Sequence, residues 1–176
     1  MLVLVVGPSG AGKDTLLEGA RKALPDARFV RRVITRPAEA GGEDHEAVNE
    51  AAFLQRTFAL QWGAHGLRYG IPADIADDLA RGGVVVANVS RGAIAEAASR
   101  FSVHVIEVTA PPDVLAVRLS ARGRETEADV AARLSRSVPL PEGVAVTRVT
   151  NDGKQEDGVA RFVAAVTRAT EAARRS

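Results

Sequence analysis

Leu2-Val3-Leu4-Val5-Val6-Gly7-Pro8-Ser9-Gly10-Ala11-Gly12-Lys13-Asp14-Thr15 is the stretch that decides the reading of this chain. Its first residues form an apolar run without polar alternation, the pattern of a strand buried on both faces. The rest is G-x-x-x-x-G-K running into a helix, the spacing of a P-loop in its expected strand-to-helix context. Glycines let the backbone curl so that successive N–H groups converge on a polyphosphate. The positive end of the following helix and the Lys13 ammonium add charge complementarity. The stretch predicts a nucleoside triphosphate site contacted by Gly7, Pro8, Ser9, Gly10, Ala11, Gly12, Lys13, Asp14 and Thr15.

One letter departs from the usual pattern. The residue after the P-loop lysine is ordinarily Ser or Thr, whose hydroxyl meets Mg²⁺, and here it is Asp14. A carboxylate is also a hard oxygen ligand for Mg²⁺. Asp14 therefore reads either as a metal ligand or as an acid favoured by the helix dipole. The end of the apolar run 84–89 supplies Asn88 and Ser90 where a supporting acid is common, which turns the reading toward metal.

Composition bounds the remainder. A length of 176 residues suits one domain, 1–176, and a net charge of +1 gives no global field for nucleic acid or a membrane surface. Without cysteine there is neither a disulfide framework nor a thiolate metal site. The first core strand starts at residue 2 and no apolar run reaches membrane-spanning length. These features predict a cytoplasmic protein, and a homo-oligomer is compatible with them.

Helical and strand-like segments alternate, as in α/β proteins. Helices are expected over 14–24, 49–56, 73–81, 92–100, 112–121, 126–137 and 155–174. Strands are expected over 28–34, 84–89, 103–108 and 144–149, with two short strand-like pieces between 58 and 71 around Gly63–Gly66. Residues 41–44 read as a loop.

Arg118, Arg122, Arg124, Arg133 and Arg136 cluster around the turn Arg122-Gly123-Arg124. Arginines between two helices late in such a chain are suited to a lid over about 118–137, which neutralises a transferring phosphoryl group and excludes water. The plain alternative is a solvated basic face.

The P-loop, Thr35-Arg36-Pro37, Gly42-Glu43-Asp44, Tyr69-Gly70, these arginines and Thr150-Asn151-Asp152 stand in the order seen in guanylate kinases, which the chain resembles over nearly its whole length. The resemblance implies a P-loop NTPase fold like that of nucleoside monophosphate kinases: a parallel sheet flanked by helices, a helical lid and a small acceptor-binding insertion over about 32–72. The guanine-reading residues are replaced, by Arg32, His45, Gln61 and Ile71. A site that loses its base-reading acid leaves polar groups of a purine unpaired.

The chain more closely resembles the ribose 1,5-bisphosphate phosphokinases of bacterial phosphonate breakdown. It does so in Lys13-Asp14, in Ile34-Thr35-Arg36-Pro37 with Gly42-Glu43-Asp44-His45, in the block from Leu60 to Pro72, and in Asn88-Val89-Ser90-Arg91. That resemblance implies ATP and Mg²⁺ as cofactors and a sugar bisphosphate as acceptor. The charge pattern agrees, because an acceptor with two phosphates and no aromatic face calls for cations and donors. Lys13, Arg122, Arg124 and Arg133 are the candidate catalytic residues, and Arg118 and Asn151 further nucleotide contacts. Arg32, Arg36, His45, His65, Arg68, Tyr69, Asn88, Ser90 and Arg91 are the candidate acceptor contacts, with Arg36 foremost for the 5-phosphate. His45 and His65 read equally as surface residues, His104 as structural and Trp62 as packing. A nucleoside monophosphate kinase and a non-catalytic binding module are the competing readings.

Overall fold

The apolar run Leu2–Val6 becomes β1, the middle strand of a five-stranded sheet of order β2-β7-β1-β8-β9. The structure, a computed structural model, describes residues 1–8, 10–40, 43–121 and 138–176. Ser9, Gly41, Gly42, Arg122, Gly123, Arg124, Arg133 and Arg136 lie outside the described residues, as do the expected lid beyond residue 121 and the helix expected over 126–137.

The partners of β1 are β2 (Arg28–Phe29), β7 (Val85–Asn88), β8 (Val103–Thr109) and β9 (Ala145–Thr150), and every pairing in this sheet is parallel. Leu2, Leu4 and Val6 pack with Val85, Ala87 and Val105 on one face. Val3 and Val5 pack with Val86, Ile106 and Val108 on the other. Both layers are dry, which is why β1 carries no polar alternation.

Helices α1 (Lys13–Ala23) and α6 (Gln155–Arg175) cover the second face through Leu16, Ala20, Phe162 and Ala165. Helices α3 (Ile75–Ala80) and α4 (Ile94–Arg100) cover the first through Ile75, Ile94 and Ala97. Helix α5 (Pro112–Ser120) follows β8 with proline in its first turn. Burying a side chain such as Phe162 or Ile94 contributes about 1.5–3 kcal/mol, so the two layers supply the main stabilisation.

The segment expected as one strand over 28–34 divides between two sheets. After β2 the chain leaves the parallel sheet, and Val33–Ile34 (β3) joins a second sheet of order β4-β3-β6-β5. Arg31 and Arg32 sit at the break, and adjacent arginines cannot continue a strand buried on both faces. The other members are β4 (Glu46–Ala47), β5 (Phe58–Ala64) and β6 (Leu67–Pro72). The β5–β6 turn holds His65 at φ 54° and Gly66 at φ 73°, the paired positive dihedrals of a two-residue hairpin turn. Helix α2 (Glu50–Leu54) is capped as expected by Asn49, whose side chain accepts from the Ala52 N–H at 2.7 Å, and it stops short of Arg56.

Gly158 in α6 faces Asn151, and a Cβ there would run into the Asn151 Oδ1 and lie 3.0 Å from Leu16 Cδ2. Overpacking of about 1–3 kcal/mol outweighs the roughly 0.8–1 kcal/mol that alanine gains over glycine within a helix. Gly158→Ala is thus expected to lower the chemical-denaturation midpoint, and an unchanged or higher midpoint would refute this contact.

Candidate active site

The P-loop leaves the carboxyl end of β1, where ligands of open parallel sheets bind. Gly12 adopts φ 84° just before α1, and a Cβ there would meet Asn151 Nδ2 at 2.5 Å. The loop carbonyls are held from outside. Arg118 Nη1 donates to the Gly10 carbonyl at 3.1 Å, and Asn151 Nδ2 to that of Ala11 at 2.7 Å. Arg118 Nη2 also donates to the Asn151 carbonyl at 2.9 Å. Arg118 and Asn151, expected as nucleotide contacts, brace the Gly10 and Ala11 carbonyls in this structure.

Inside the loop mouth, cations crowd together. Lys13 Nζ donates to the Gly7 carbonyl at 2.5 Å. Burial, and then Arg32 and Arg91, push the Lys13 pKa down to about 8 against the opposing pull of Asp14. Burial likewise lowers Arg32 to about 10, which leaves it charged at neutral pH. Arg32 is gripped on three sides. Its Nε donates to Glu43 Oε2 at 2.9 Å and its Nη2 to Glu43 Oε1, while the guanidinium lies 5.0 Å from the Tyr69 ring centre. Arg32 Nη1 also reaches the carbonyl of Asn88, at the end of β7, at 3.5 Å. Tyr69 in turn stacks on Trp62 at 5.6 Å, so the tryptophan is packing, as expected.

Arg36 stands on the far side of Glu43, its Nη2 3.9 Å from Oε1, and its Nε is buried without a hydrogen-bond partner among the described residues. Arg91 donates to Glu107 Oε2 at 2.9 Å and to the Val138 carbonyl at 2.8 Å. Glu107, only 6% exposed, also accepts from Arg148 Nε at 2.9 Å. Asp14 and Thr15 are exposed in the first turn of α1, and Ser90 is exposed just past β7.

Two expected acceptor contacts, Arg68 and His65, lie away from these cations, and a third, His45, is buried beside Arg36 and not at the surface. It is 5% exposed, with Nε2 donating to the Arg36 carbonyl at 2.9 Å and Nδ1 3.4 Å from Arg36 Nη2 and 3.1 Å from the Glu43 carbonyl. The polar sequence around it conceals a ring that closes its own loop. Arg68 alternates with Tyr69 along β6 and so faces away from it, pairing with Glu50 Oε1 at 3.0 Å. With Thr35, Glu50 and Leu67 it lines a separate hollow of about 610 Å³. His65 is exposed at the hairpin tip. His104 is structural as expected, with Nε2 2.8 Å from Thr147 Oγ1.

Glu43 and Glu107, which hold Arg32 and Arg91, have no role assigned from sequence. The signals for them are the acid of Gly42-Glu43-Asp44 and a lone acid in an otherwise apolar strand end. Among the positions where guanine readers would stand, Arg32 is ion-paired, His45 is buried in its loop, Gln61 is exposed and Ile71 belongs to the core.

No family model matches this chain. It is 53% identical over 165 residues to the ribose 1,5-bisphosphate phosphokinase PhnN of Acidiphilium cryptum, covering 92% of this chain and 90% of that protein. It is 51% identical over 175 residues to the bifunctional ribose 1,5-bisphosphokinase-thymidine phosphorylase of Azorhizobium caulinodans, covering 94% of this chain but spanning about a quarter (25%) of that relative's length. Among solved structures, guanylate kinase from Anaplasma phagocytophilum superposes with a TM-score of 0.69 at 19% identity, covering 97% of this chain and 85% of that one. Fold and site together define a P-loop kinase, a phosphotransferase of the guanylate-kinase-like type. More narrowly, the chain belongs to the ribose 1,5-bisphosphate phosphokinase family.

The lowered Lys13 pKa has a measurable consequence. Below about pH 8 the ammonium is charged both with and without ligand, and affinity for a triphosphate should be flat. Above it, binding must take up a proton, so affinity should fall by roughly tenfold per pH unit at most. Calorimetric titration with a non-hydrolysable triphosphate is expected to show this fall in the wild type and not in Lys13→Arg. A flat profile to pH well above 8 would contradict it.

Proposed function

We propose that this protein transfers the γ-phosphoryl group of ATP to the 1-phosphate of ribose 1,5-bisphosphate, yielding 5-phosphoribosyl 1-diphosphate and ADP. The bond from Pγ to the β-phosphate oxygen breaks, and a bond from Pγ to an oxygen of the 1-phosphate forms. The observation that carries this reading is the buried Arg32 guanidinium beside Lys13, with Arg36 beyond it, where a nucleotide kinase would need base-reading groups. The names and high identity of the full-length relatives support it.

An acceptor phosphate is already ionised near neutral pH, so the reaction asks for no general base. Positioning and charge neutralisation suffice. Lys13 holds the β- and γ-phosphates at the loop mouth. Arg32, whose charge acts on Lys13, receives the acceptor 1-phosphate, and Arg36 the 5-phosphate. Arg91, steadied by Glu107, adds charge from the β7 side. Asn88 and Ser90 line the same edge, and Tyr69 supports Arg32 from below.

The donor set at the start of α1 fits a magnesium ion. Asp14 offers an exposed carboxylate next to Lys13, and Mg²⁺ is ordinarily held by one or two carboxylates together with substrate phosphates and water. Its other ligands would come from the substrate phosphates and water. When bound, the ion would neutralise charge on the β- and γ-phosphates. The reaction draws on the ATP of the cytoplasm, where we place it, with two small-molecule substrates and neither nucleic acid nor membrane.

An acceptor panel assayed by ADP release tests the proposal. Ribose 1,5-bisphosphate should be turned over far faster than GMP, AMP or ribose 5-phosphate. A charge-assisted contact of about 1.5–3 kcal/mol lost in Arg36→Ala should lower kcat/KM for that acceptor by roughly one to two orders of magnitude, with ATP affinity little changed. Efficient GMP turnover, or unchanged acceptor kinetics in Arg36→Ala, would contradict the proposal.

A further inference from the structure

We infer that Glu43 is the specificity residue that reads the sugar of the acceptor, accepting hydrogen bonds from the ribose 2- and 3-hydroxyls between its two phosphates. The inference rests on the proposed acceptor. Its starting point is the position of one acid in a cleft otherwise built from cations. Glu43 touches both arginines: Oε2 lies 2.9 Å from Arg32 Nε, and Oε1, which accepts from Arg32 Nη2, lies 3.9 Å from Arg36 Nη2. The side chains are mostly covered, at 11% exposure for Arg32, 17% for Glu43 and 25% for Arg36. An acid in contact with two phosphate-binding cations is placed to meet the hydroxyls that the ligand carries between its phosphates.

A carboxylate here repels both phosphates, so it must return something else. Holding Arg32 in place is part of its role, and that uses two of roughly four acceptor positions on a carboxylate. Arg36 is too far from Oε1, at 3.9 Å, to take another as a hydrogen bond. The remaining positions can accept from hydroxyl donors, which a ribose bisphosphate offers between its phosphates. A single acid bonding a ribose diol is the arrangement that dinucleotide-binding folds use for the same sugar.

Among the described residues, Glu107 is shared by Arg91 and Arg148 and Asp44 pairs with Arg31 at the surface, while Asp14, which acts on both Lys13 and Arg32, stands in the first turn of α1. The carboxylate is held by its two bonds to Arg32, and the buried His45 ring beside it donates from Nε2 to the Arg36 carbonyl at 2.9 Å. A group held in this way discriminates by hydrogen-bond geometry, as a purely cationic pocket would not.

The test compares kcat/KM for ribose 1,5-bisphosphate and 2-deoxyribose 1,5-bisphosphate in wild type and Glu43→Gln, with ATP binding and thermal unfolding as checks on the fold. The wild type should prefer the ribose compound by roughly a hundredfold or more. In Glu43→Gln the preference should shrink to a few-fold, mainly through loss on the ribose substrate. Equal use of both sugars by the wild type overturns the inference even if the variant fails to fold. A variant slowed equally on both, with the preference intact, also overturns it and leaves Glu43 as the counter-ion of Arg32. A wild type that binds ATP but phosphorylates neither sugar overturns the acceptor assignment and this inference together, whereas the first two outcomes leave that assignment standing.

Discussion

Like charge is forced together where the central strand of the sheet ends, and much of the molecule is arranged around that crowding. Lys13 emerges from the P-loop into a buried space already shared with Arg32 and Arg91, and burial first, then the two arginines, make the ammonium hold its proton less tightly. In the free protein the loop carbonyl of Gly7 and two carboxylates keep the cations in place, Glu43 for Arg32 and Glu107 for Arg91. Each carboxylate grips its arginine only from one side. A polyphosphate entering the mouth replaces mutual repulsion with attraction to all of them. Catalysis by neutralisation needs such a set of charges, assembled before the substrate arrives.

The sheet that creates the crowding also restrains it. Parallel register places Val6 of β1 beside Glu107 of β8, and Glu107 beside Arg148 of β9, so one buried acid links three adjacent strand ends to Arg91. On the other flank, Arg118 and Asn151 brace the Gly10 and Ala11 carbonyls. The second sheet brings Arg32, Tyr69 and Trp62 into one stacked tier facing the loop. The cations at the loop mouth therefore rest on two sheets, joined through the short crossing at Arg31 and Arg32.

Sequence alone reached the central strand, the P-loop, the alternation of helices and strands, and the substitutions that remove a purine site. Those signals are local, carried by spacing and periodicity within a few residues. What it missed depends on distant partners. The break in 28–34 arises because β2 finds β7 while β3 finds β6, and neither partner is visible from the run itself. His45 looked like a polar loop residue because its acceptors are backbone carbonyls, which no side-chain pattern announces. Arg68 could have been turned away by period-two reasoning once Tyr69 was set inward. Glu43 and Glu107 were passed over because attention to cations does not ask what holds them apart.

The central claim is that the crowded cations, with Lys13 at their focus, form a phosphoryl-transfer site. Measuring turnover of a Lys13→Ala protein whose circular dichroism and unfolding midpoint match the wild type tests it most directly. The account predicts that transfer is abolished while the fold is kept, because the Lys13 ammonium is the cation the P-loop itself carries to the β- and γ-phosphates. Near-normal turnover in that folded variant would contradict it.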